Sequence, residues 1–436
     1  MNILFIFSDQ QHKYALGKIN KQFITPNLDI LSNEGVLFKN AYSNNPVCGP
    51  YRGCLFTGQY TSRCKVYENG FALPQGTQTM QEALQQQGYS TSYVGKWHLG
   101  GNGQGVINST LRLGFDKFIG YQCYNGFDPN PPFNNEIVFA DQDDNLYTYN
   151  KHRTDVTTEL AINALDAITK SDKNFFLCVS YQAPHYPEQP LEKFADLYKN
   201  VTFDLPKDYE EIDPYTPTFS PRSPRPFDSC PDYMRYGNNI QEYMRLYAAL
   251  CSQVDDGVGQ ILNKLKELDL YEDTIIVYTA DHGDMQGCKG LKNKCYAYEK
   301  SAGVPMIIRY PGGRKNTVTD ELISSVDFFP TFIDIANANT TTKLDGVSLI
   351  SYLTSKTEST QKYVISEYLH NNPWRMIRDK NYKLVTDANY HPTMLYDMIT
   401  DELEAINLIN DKKYTDIILN LNTILKNKTL VCDKFK

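Results

Sequence analysis

Cys48-Gly49-Pro50-Tyr51-Arg52-Gly53-Cys54-Leu55-Phe56-Thr57-Gly58 has the form C-x-P-x-R, followed by a short apolar run and T-G. Pro50 suits the first turn of a helix, where its missing N–H costs nothing and its fixed φ is already helical. Residues four apart share one helix face, so Cys48 and Arg52 stand together at the start of that helix. Free N–H groups and the positive end of the dipole make such a start a good place for an anion. Taken alone, the same residues would read as a buried cysteine near a turn, with Arg52 in an ion pair. The rest of the chain decides between the two.

The chain has 436 residues, 41% hydrophobic and 13% aromatic, which allows a sizeable core and excludes a disordered chain. Lys and Arg number 43 against 51 Asp and Glu, a net charge of −8, and no long basic run occurs, so nucleic acid is not an expected partner. An anionic substrate would need a local cationic pocket or a metal. No apolar run reaches the length of a membrane span, so no membrane partner is expected either. The opening Met1-Asn2-Ile3-Leu4-Phe5-Ile6-Phe7-Ser8 lacks a basic head and a small-residue cleavage site; it reads as a buried strand, and the expected location is cytoplasmic. Ten cysteines without a CxxC pair are too sparse for a disulfide scaffold or a zinc site.

Apolar runs alternate with helical patterns, the mark of an α/β fold with a large, mostly parallel sheet sandwiched by helices. Strands are expected at Ile3–Ser8, Ser90–Gly95, Phe175–Tyr181, Thr274–Thr279 and Val304–Tyr310, and helices at Asn27–Asn33, Thr79–Gln87 and Thr154–Thr169. The clearest helix runs from Ile240 to Leu268, where Ile240, Met244, Tyr247, Cys251, Val254, Val258, Ile261, Leu265 and Leu268 form one stripe. Gly257 and Gly259 inside it suggest close packing by another element. Seven prolines between Asp204 and Asp232 mark a long loop at the mouth of a pocket. After Lys362 the pattern becomes short strands and a closing helix. We therefore expect a catalytic unit over residues 1–360 and a small antiparallel α+β subdomain over 361–436.

Ser8-Asp9-Gln10 closes the first strand, and Asp281-His282-Gly283-Asp284 follows a later one, where open α/β sheets bind ligands. Asp9, Gln10, Asp281 and His282 offer three oxygens and one imidazole to a divalent cation. That donor set suits Ca²⁺, Mg²⁺ or Mn²⁺, with the nitrogen leaning towards Mn²⁺. Either segment alone would read as a helix cap, a common use of Asp after a strand. In Gly95-Lys96-Trp97-His98, residues two apart on an extended chain present Lys96 and His98 to one side. Ala183-Pro184-His185-Tyr186-Pro187 would hold His185 on a rigid turn. Lys294 carries no signal by itself.

Together these segments resemble, in order and approximate spacing, the formylglycine-dependent sulfatases of the alkaline phosphatase superfamily. The resemblance runs from the first strand to about Pro311 and resumes weakly in the C-terminal part. The stretch Asp281–Pro305 is similar in register to the family's DHGD…G…G…K…YE…VP segment, which selects Lys294 over Lys289 and Lys292. The resemblance implies an alkaline phosphatase-like fold and an enzyme that hydrolyses sulfate esters. It implies that Cys48 is oxidised to formylglycine by a formylglycine-generating maturation enzyme. One oxygen of the hydrated aldehyde would bind the divalent cation, Ca²⁺ foremost, held also by Asp9, Gln10, Asp281 and His282. Arg52, Lys96 and Lys294 would then neutralise the sulfate, His185 or Lys294 would protonate the leaving alkoxide, and His98 would take a proton from the second hydroxyl.

Two positions depart from the family pattern: Gln10 stands where many members have a second Asp, and Tyr51 where Ser is usual. The expected substrate is a small-molecule or glycan sulfate ester, with a carbohydrate sulfate favoured because His370, Asn371, Trp374 and Arg375 lie in a segment able to reach the pocket. A phosphonate monoester or phosphodiester hydrolase of the same superfamily is the rival enzyme. A glycan-binding protein with unmodified Cys48 is the rival non-enzyme, against which the full set of Arg52, Lys96, His98, His185 and Lys294 argues.

Overall fold

Ile3, Phe5 and Phe7 alternate with Leu4 and Ile6 along the first strand, and all five are buried because apolar layers cover both of its faces. The computed structural model describes residues 1–101, 107–123, 137–168, 170–209, 239–355 and 357–432. In chain order the strands of the large sheet are β1 Asn2–Asp9, β2 Val36–Tyr42, β3 Ser90–Lys96, β4 Lys117–Tyr121 and β5 Ile137–Asp141. They continue with β6 Leu146–Tyr149, β7 Phe175–Pro184, β8 Thr274–Ala280, β9 Met306–Arg309 and β10 Thr317–Ser324. The order across this ten-stranded sheet is β10-β2-β9-β8-β1-β7-β3-β4-β5-β6. Five of its neighbouring pairs are parallel and four antiparallel.

The expected strands are present, with one revision. Val304–Tyr310 shortens to Met306–Arg309 and runs antiparallel between β2 and β8. On one face of the sheet the helices Pro26–Asn33, Arg153–Ile168 and Ile240–Glu267 contribute Leu28, Leu165, Val254 and Ile261 to the core. On the other face, Cys48–Thr57, Met80–Gln86 and Phe328–Ala336 contribute Phe56, Leu84, Phe328 and Phe332. The two glycines of the long helix sit at close approaches: a Cβ at Gly257 would lie 2.4 Å from Thr158 Oγ1, and one at Gly259 2.4 Å from Asn27 Cγ. Most of the proline-rich segment, from residue 210 to 232, lies outside the described residues. Among the described residues, no helix is long and apolar enough to cross a membrane and no cysteine is in a disulfide.

The second sheet is antiparallel, β11 Val364–Tyr368, β12 Trp374–Arg378, β13 Tyr382–Asp387 and β14 Pro392–Asp397 in that order, with the helix Thr415–Lys428 burying Leu421 and Leu425. A buried ionic knot fastens it to the large sheet. The Glu299 carboxylate accepts from Tyr42 and Lys13 on one side and pairs with Lys383 (2.6 Å) and Arg378 (3.3 Å) on the other. Lys383 also donates to the Ala297 carbonyl (3.0 Å), and the Trp374 indole N–H to the Cys295 carbonyl (2.9 Å). Removing one partner from such a knot would strand a buried charge.

His152, just before the helix Arg153–Ile168, shows how burial fixes a protonation state. Its Nε2–H donates to the Gln189 carbonyl (2.9 Å), while Nδ1 accepts from the Thr154 N–H (3.2 Å) and from Gln253 (3.0 Å). Burial and the neighbouring Arg153 push its pKa down to about 3. A histidine depressed from about 6.5 stabilises the fold fully above that value and loses the contribution as pH falls towards the folded pKa. We therefore expect the wild type to lose about 1–2 kcal/mol at this site between pH 7.5 and pH 5. Denaturant titrations at the two pH values should show a smaller loss in His152→Gln; an equal loss would assign the pH dependence elsewhere.

Candidate active site

Four neighbouring parallel strands, β8, β1, β7 and β3, end at one edge of the sheet, and each delivers a polar residue there. Asp9 ends β1, Lys96 ends β3, Asp281 and His282 follow β8, and His185 follows β7. Strands β3 and β7 approach so closely that a Cβ at Gly95 would lie 2.1 Å from the Ser180 carbonyl oxygen, and φ there is +106°. Only glycine fits beside Lys96.

Cys48 meets this edge from above. The helix Cys48–Thr57 starts two residues before Pro50, so Pro50 lies within the first turn, where helical N–H groups lack partners in any case. The Cys48 Sγ is 3.1 Å from Lys294 Nζ, 3.3 Å from His282 Nε2, 3.6 Å from Asp9 Oδ1 and 3.8 Å from Lys96 Nζ. Lys96 also pairs with Asp9. All of these groups are buried.

Asp9, Cys48, Asp281 and His282 each bring a ligand atom within 4.8 Å of the others'. His282 Nδ1–H donates to the Gly283 carbonyl (3.0 Å), which turns Nε2 towards the two carboxylates at 3.5 and 3.4 Å; burial lowers its pKa, but Asp281 raises it on balance. Asp281 Oδ2 has no hydrogen-bond partner although it is buried. Burial and the charge of Asp9 push the Asp281 pKa up to about 7, against the opposing pull of His282 and Arg52. Burial and Cys48 also act to raise Asp9, but Lys96, His185 and Lys294 prevail and hold it well below the ordinary carboxylate range. Two converging carboxylates, an orphaned oxygen and a correctly turned imidazole fit a divalent cation. Gln10 stands beside them, its backbone N–H donating to Asp281 Oδ1 (3.0 Å) and its Oε1 3.3 Å from Lys294 Nζ.

Arg52 is buried differently from a group that greets substrate. Its Nη1 lies 2.7 Å from the Lys96 carbonyl and 2.9 Å from both Tyr93 OH and Ser180 Oγ, and its guanidinium lies over the Phe7 ring at 4.7 Å. Its Nη2 faces Asp9 and Asp281 at 3.8 and 3.7 Å without a hydrogen bond. His185 donates its backbone N–H to the Asp9 carbonyl (3.1 Å) and its Nδ1–H to the Tyr186 carbonyl (2.9 Å). Burial and Lys294 depress its pKa well below the ordinary value, so it is neutral at pH 7. His98 is buried nearby; burial lowers its pKa, but the neighbouring Cys123 and Cys48 raise it on balance.

Asp9, Lys96, Asp281, His282 and Lys294 therefore gather around Cys48, with Gln10, Arg52, His98 and His185 next to them. Sequence reasoning missed Cys123, for which no pattern exists, and Asp284, which lies inside the D-H-G-D stretch. Of the C-terminal residues, Arg375 does not reach the pocket: it is buried against Glu367, the Ala388 carbonyl and the Leu430 carbonyl. His370 and Trp374 flank the site instead. His370 pairs with Glu68 (3.1 Å), next to Asn69, which accepts the Gly49 N–H (2.9 Å), and Trp374 bonds the residue after Lys294.

A family model described as Sulfatase matches residues 1–338, and one described as N-sulphoglucosamine sulphohydrolase, C-terminal, matches residues 287–430. An ulvan-active sulfatase of Formosa agariphila is 27% identical over 450 residues, covering 100% of this chain and 82% of the relative. An N-acetylglucosamine-6-O-sulfatase of Bacteroides thetaiotaomicron is 29% identical, covering 95% of this chain and 83% of the relative. A structure solved in complex with its substrate D-glucosamine-2-N,6-O-disulfate superimposes with a TM-score of 0.80 at 25% identity, covering 98% of this chain and 97% of that one.

Proposed function

The chain belongs to the sulfatase family and is a sulfate ester hydrolase, and from that premise we propose that it releases inorganic sulfate from a carbohydrate sulfate through a formylglycine made from Cys48. What carries this reading is the convergence of two ammonium groups, two carboxylates and an imidazole on one buried sulfur. In the mature protein an oxygen on Cβ of residue 48 would take the place of Sγ, so the contacts of Sγ stand for those of the nucleophile. A maturation enzyme is the implied partner.

Asp9, Asp281 and His282, with the Gln10 oxygen beside them, would hold the cation. When bound, it would supply Lewis-acid charge that lowers the pKa of the adjacent hydroxyl. Lys96 and Lys294 neutralise the sulfate oxygens as charge develops. Burial lowers the pKa of Lys294, but Cys48 and Asp9 raise it on balance, so Lys294 carries the proton that the departing alkoxide needs. His185, neutral in the free protein, can share that role once an anion lies beside it. His98 takes the proton of the second hydroxyl, and the sulfated intermediate then breaks by elimination, without water attacking sulfur. Arg52 serves as a clamp on Asp9 and Asp281 rather than as a contact for substrate.

The carbohydrate class draws on the relatives and on the turn between Tyr368 and Trp374. That turn bonds Glu68 and Cys295, whose chain neighbours Asn69 and Lys294 bond Gly49 and Cys48, and brings an aromatic plane and a carboxylate–imidazole pair, groups suited to a sugar's faces and hydroxyls. The test is sulfate release from sulfated monosaccharides, glucosamine 6-O-sulfate first, against hydrolysis of an aryl phosphodiester by the same preparation. We expect kcat/KM for a sugar sulfate to exceed that for the phosphodiester by about 100-fold or more, a difference of about 3 kcal/mol in the transition state. The reverse preference would move the chain to the phosphodiesterase branch of the superfamily.

A further inference from the structure

We propose that Asp284 is a positioning residue that locks the Gln10 side-chain amide with its oxygen turned towards the cation site. The inference rests on the reading of Asp9, Asp281 and His282 as that site.

Gln10 follows β1 in left-handed backbone, φ +68°, and is almost wholly buried. Its backbone is tied on both sides, the N–H to Asp281 Oδ1 (3.0 Å) and the carbonyl to the Tyr247 hydroxyl (2.7 Å). Its amide could in principle lie either way round. Here its two neighbours have fixed polarity. Nε2 donates to Asp284 Oδ2 (2.7 Å), and Oε1 accepts from Lys294 Nζ (3.3 Å). A carboxylate can only accept and an ammonium can only donate, so a flipped amide would lose both bonds.

Asp284 is itself immobilised. Its Oδ1 accepts the backbone N–H groups of Gln286 (3.0 Å) and Asn293 (3.1 Å), and its Oδ2 accepts from Gln10 and from the Tyr243 hydroxyl. A hydrogen-bond chain thus runs from Tyr243 through Asp284, Gln10 and Lys294 to Cys48. An amide whose N–H₂ donates to an anion is polarised, with more electron density on its oxygen. The negative charge that Gln10 lacks is supplied one hydrogen bond further out.

Asp284→Asn tests this with almost no change of shape. The two backbone N–H groups claim the oxygen of the new amide, so its N–H₂ faces Gln10 and favours the flipped orientation, which turns the Gln10 oxygen away. Calorimetric titration of metal-freed mature protein with Mn²⁺, and separately Ca²⁺, should give one bound equivalent in the wild type. Asp284→Asn should keep that stoichiometry and raise Kd by about 10- to 100-fold. In a Gln10→Ala background the same substitution should change Kd by less than about twofold, because its effect passes through Gln10. A folded Asp284→Asn protein with wild-type Kd, or an equal effect in both backgrounds, overturns the proposal. If Asp284→Asn does not fold, Tyr243→Phe removes a hydroxyl that holds Oδ2, and an unchanged Kd there is equally fatal. A wild type that binds no cation would instead overturn the cation site itself, and the proposal with it.

Discussion

Cys48→Ala is expected to abolish sulfate release, lowering kcat/KM by roughly 10⁴-fold or more, because it removes the proposed nucleophile. The melting temperature should stay within a few degrees of wild type. Cys48 is buried, but its sulfur touches Lys294, His282, Asp9 and Lys96 rather than apolar packing, so truncation opens no hydrophobic cavity. Burial alone would raise the thiol pKa, yet Lys294, Lys96 and His282 bring it well below the ordinary range, which marks the position as one built for negative charge. Cys48→Ser sharpens the test. A serine oxygen can attack once, but it lacks the second hydroxyl whose proton His98 would take. Rapid-quench kinetics should show at most a single burst and a sulfated protein by intact mass. Steady turnover by either variant would remove Cys48 from the chemistry.

Stripping the divalent cation should lower sulfate release by about 10³-fold or more, with recovery on adding Mn²⁺ or Ca²⁺. Asp281→Ala should not recover. The pH dependence has a definite sign. Cation binding requires an ionised Asp281, whose pKa in the cation-free protein stands at about 7 through burial and the nearby Asp9. A bound cation also needs unprotonated His282, whose pKa burial lowers but Asp281 raises on balance, so apparent affinity should rise with pH through about 7, with about tenfold or more lost per unit below it. Calorimetric titrations from pH 5.5 to 8.5 measure this directly. Flat affinity across that range, or full activity in metal-free protein, would place the carboxylates in another role.

Much of this was legible in the order of residues alone, for a definite reason. The central parallel strands are buried on both faces and read as continuous apolar runs, so their ends, and the polar residues on them, could be located. The strands the sequence did not reveal lie mostly away from that centre. In β10, Thr317-Val318-Thr319-Asp320 alternates partly exposed and exposed side chains at the sheet edge, and β5 and β6 form a short hairpin at the opposite edge. Neither gives an apolar run. Chemistry was harder than position. Arg52 could be placed beside Cys48 from their spacing, but that its guanidinium is spent on Tyr93, the Lys96 carbonyl and Ser180 is a property of two other segments, β3 and β7. Gln10 was visible as an oxygen donor; which way its amide turns depends on Asp284 and Lys294, far along the chain.

The short stretch from Lys294 to Glu299 hangs from the antiparallel sheet through Trp374, Lys383 and Arg378. Modular exchange of that sheet between relatives, as a way of altering which sulfate ester is accepted, is thereby constrained. An incoming module must bring its own indole donor and pair of cations, or Lys294 loses its suspension beside Cys48 and the hybrid forfeits turnover along with the selectivity it was meant to acquire.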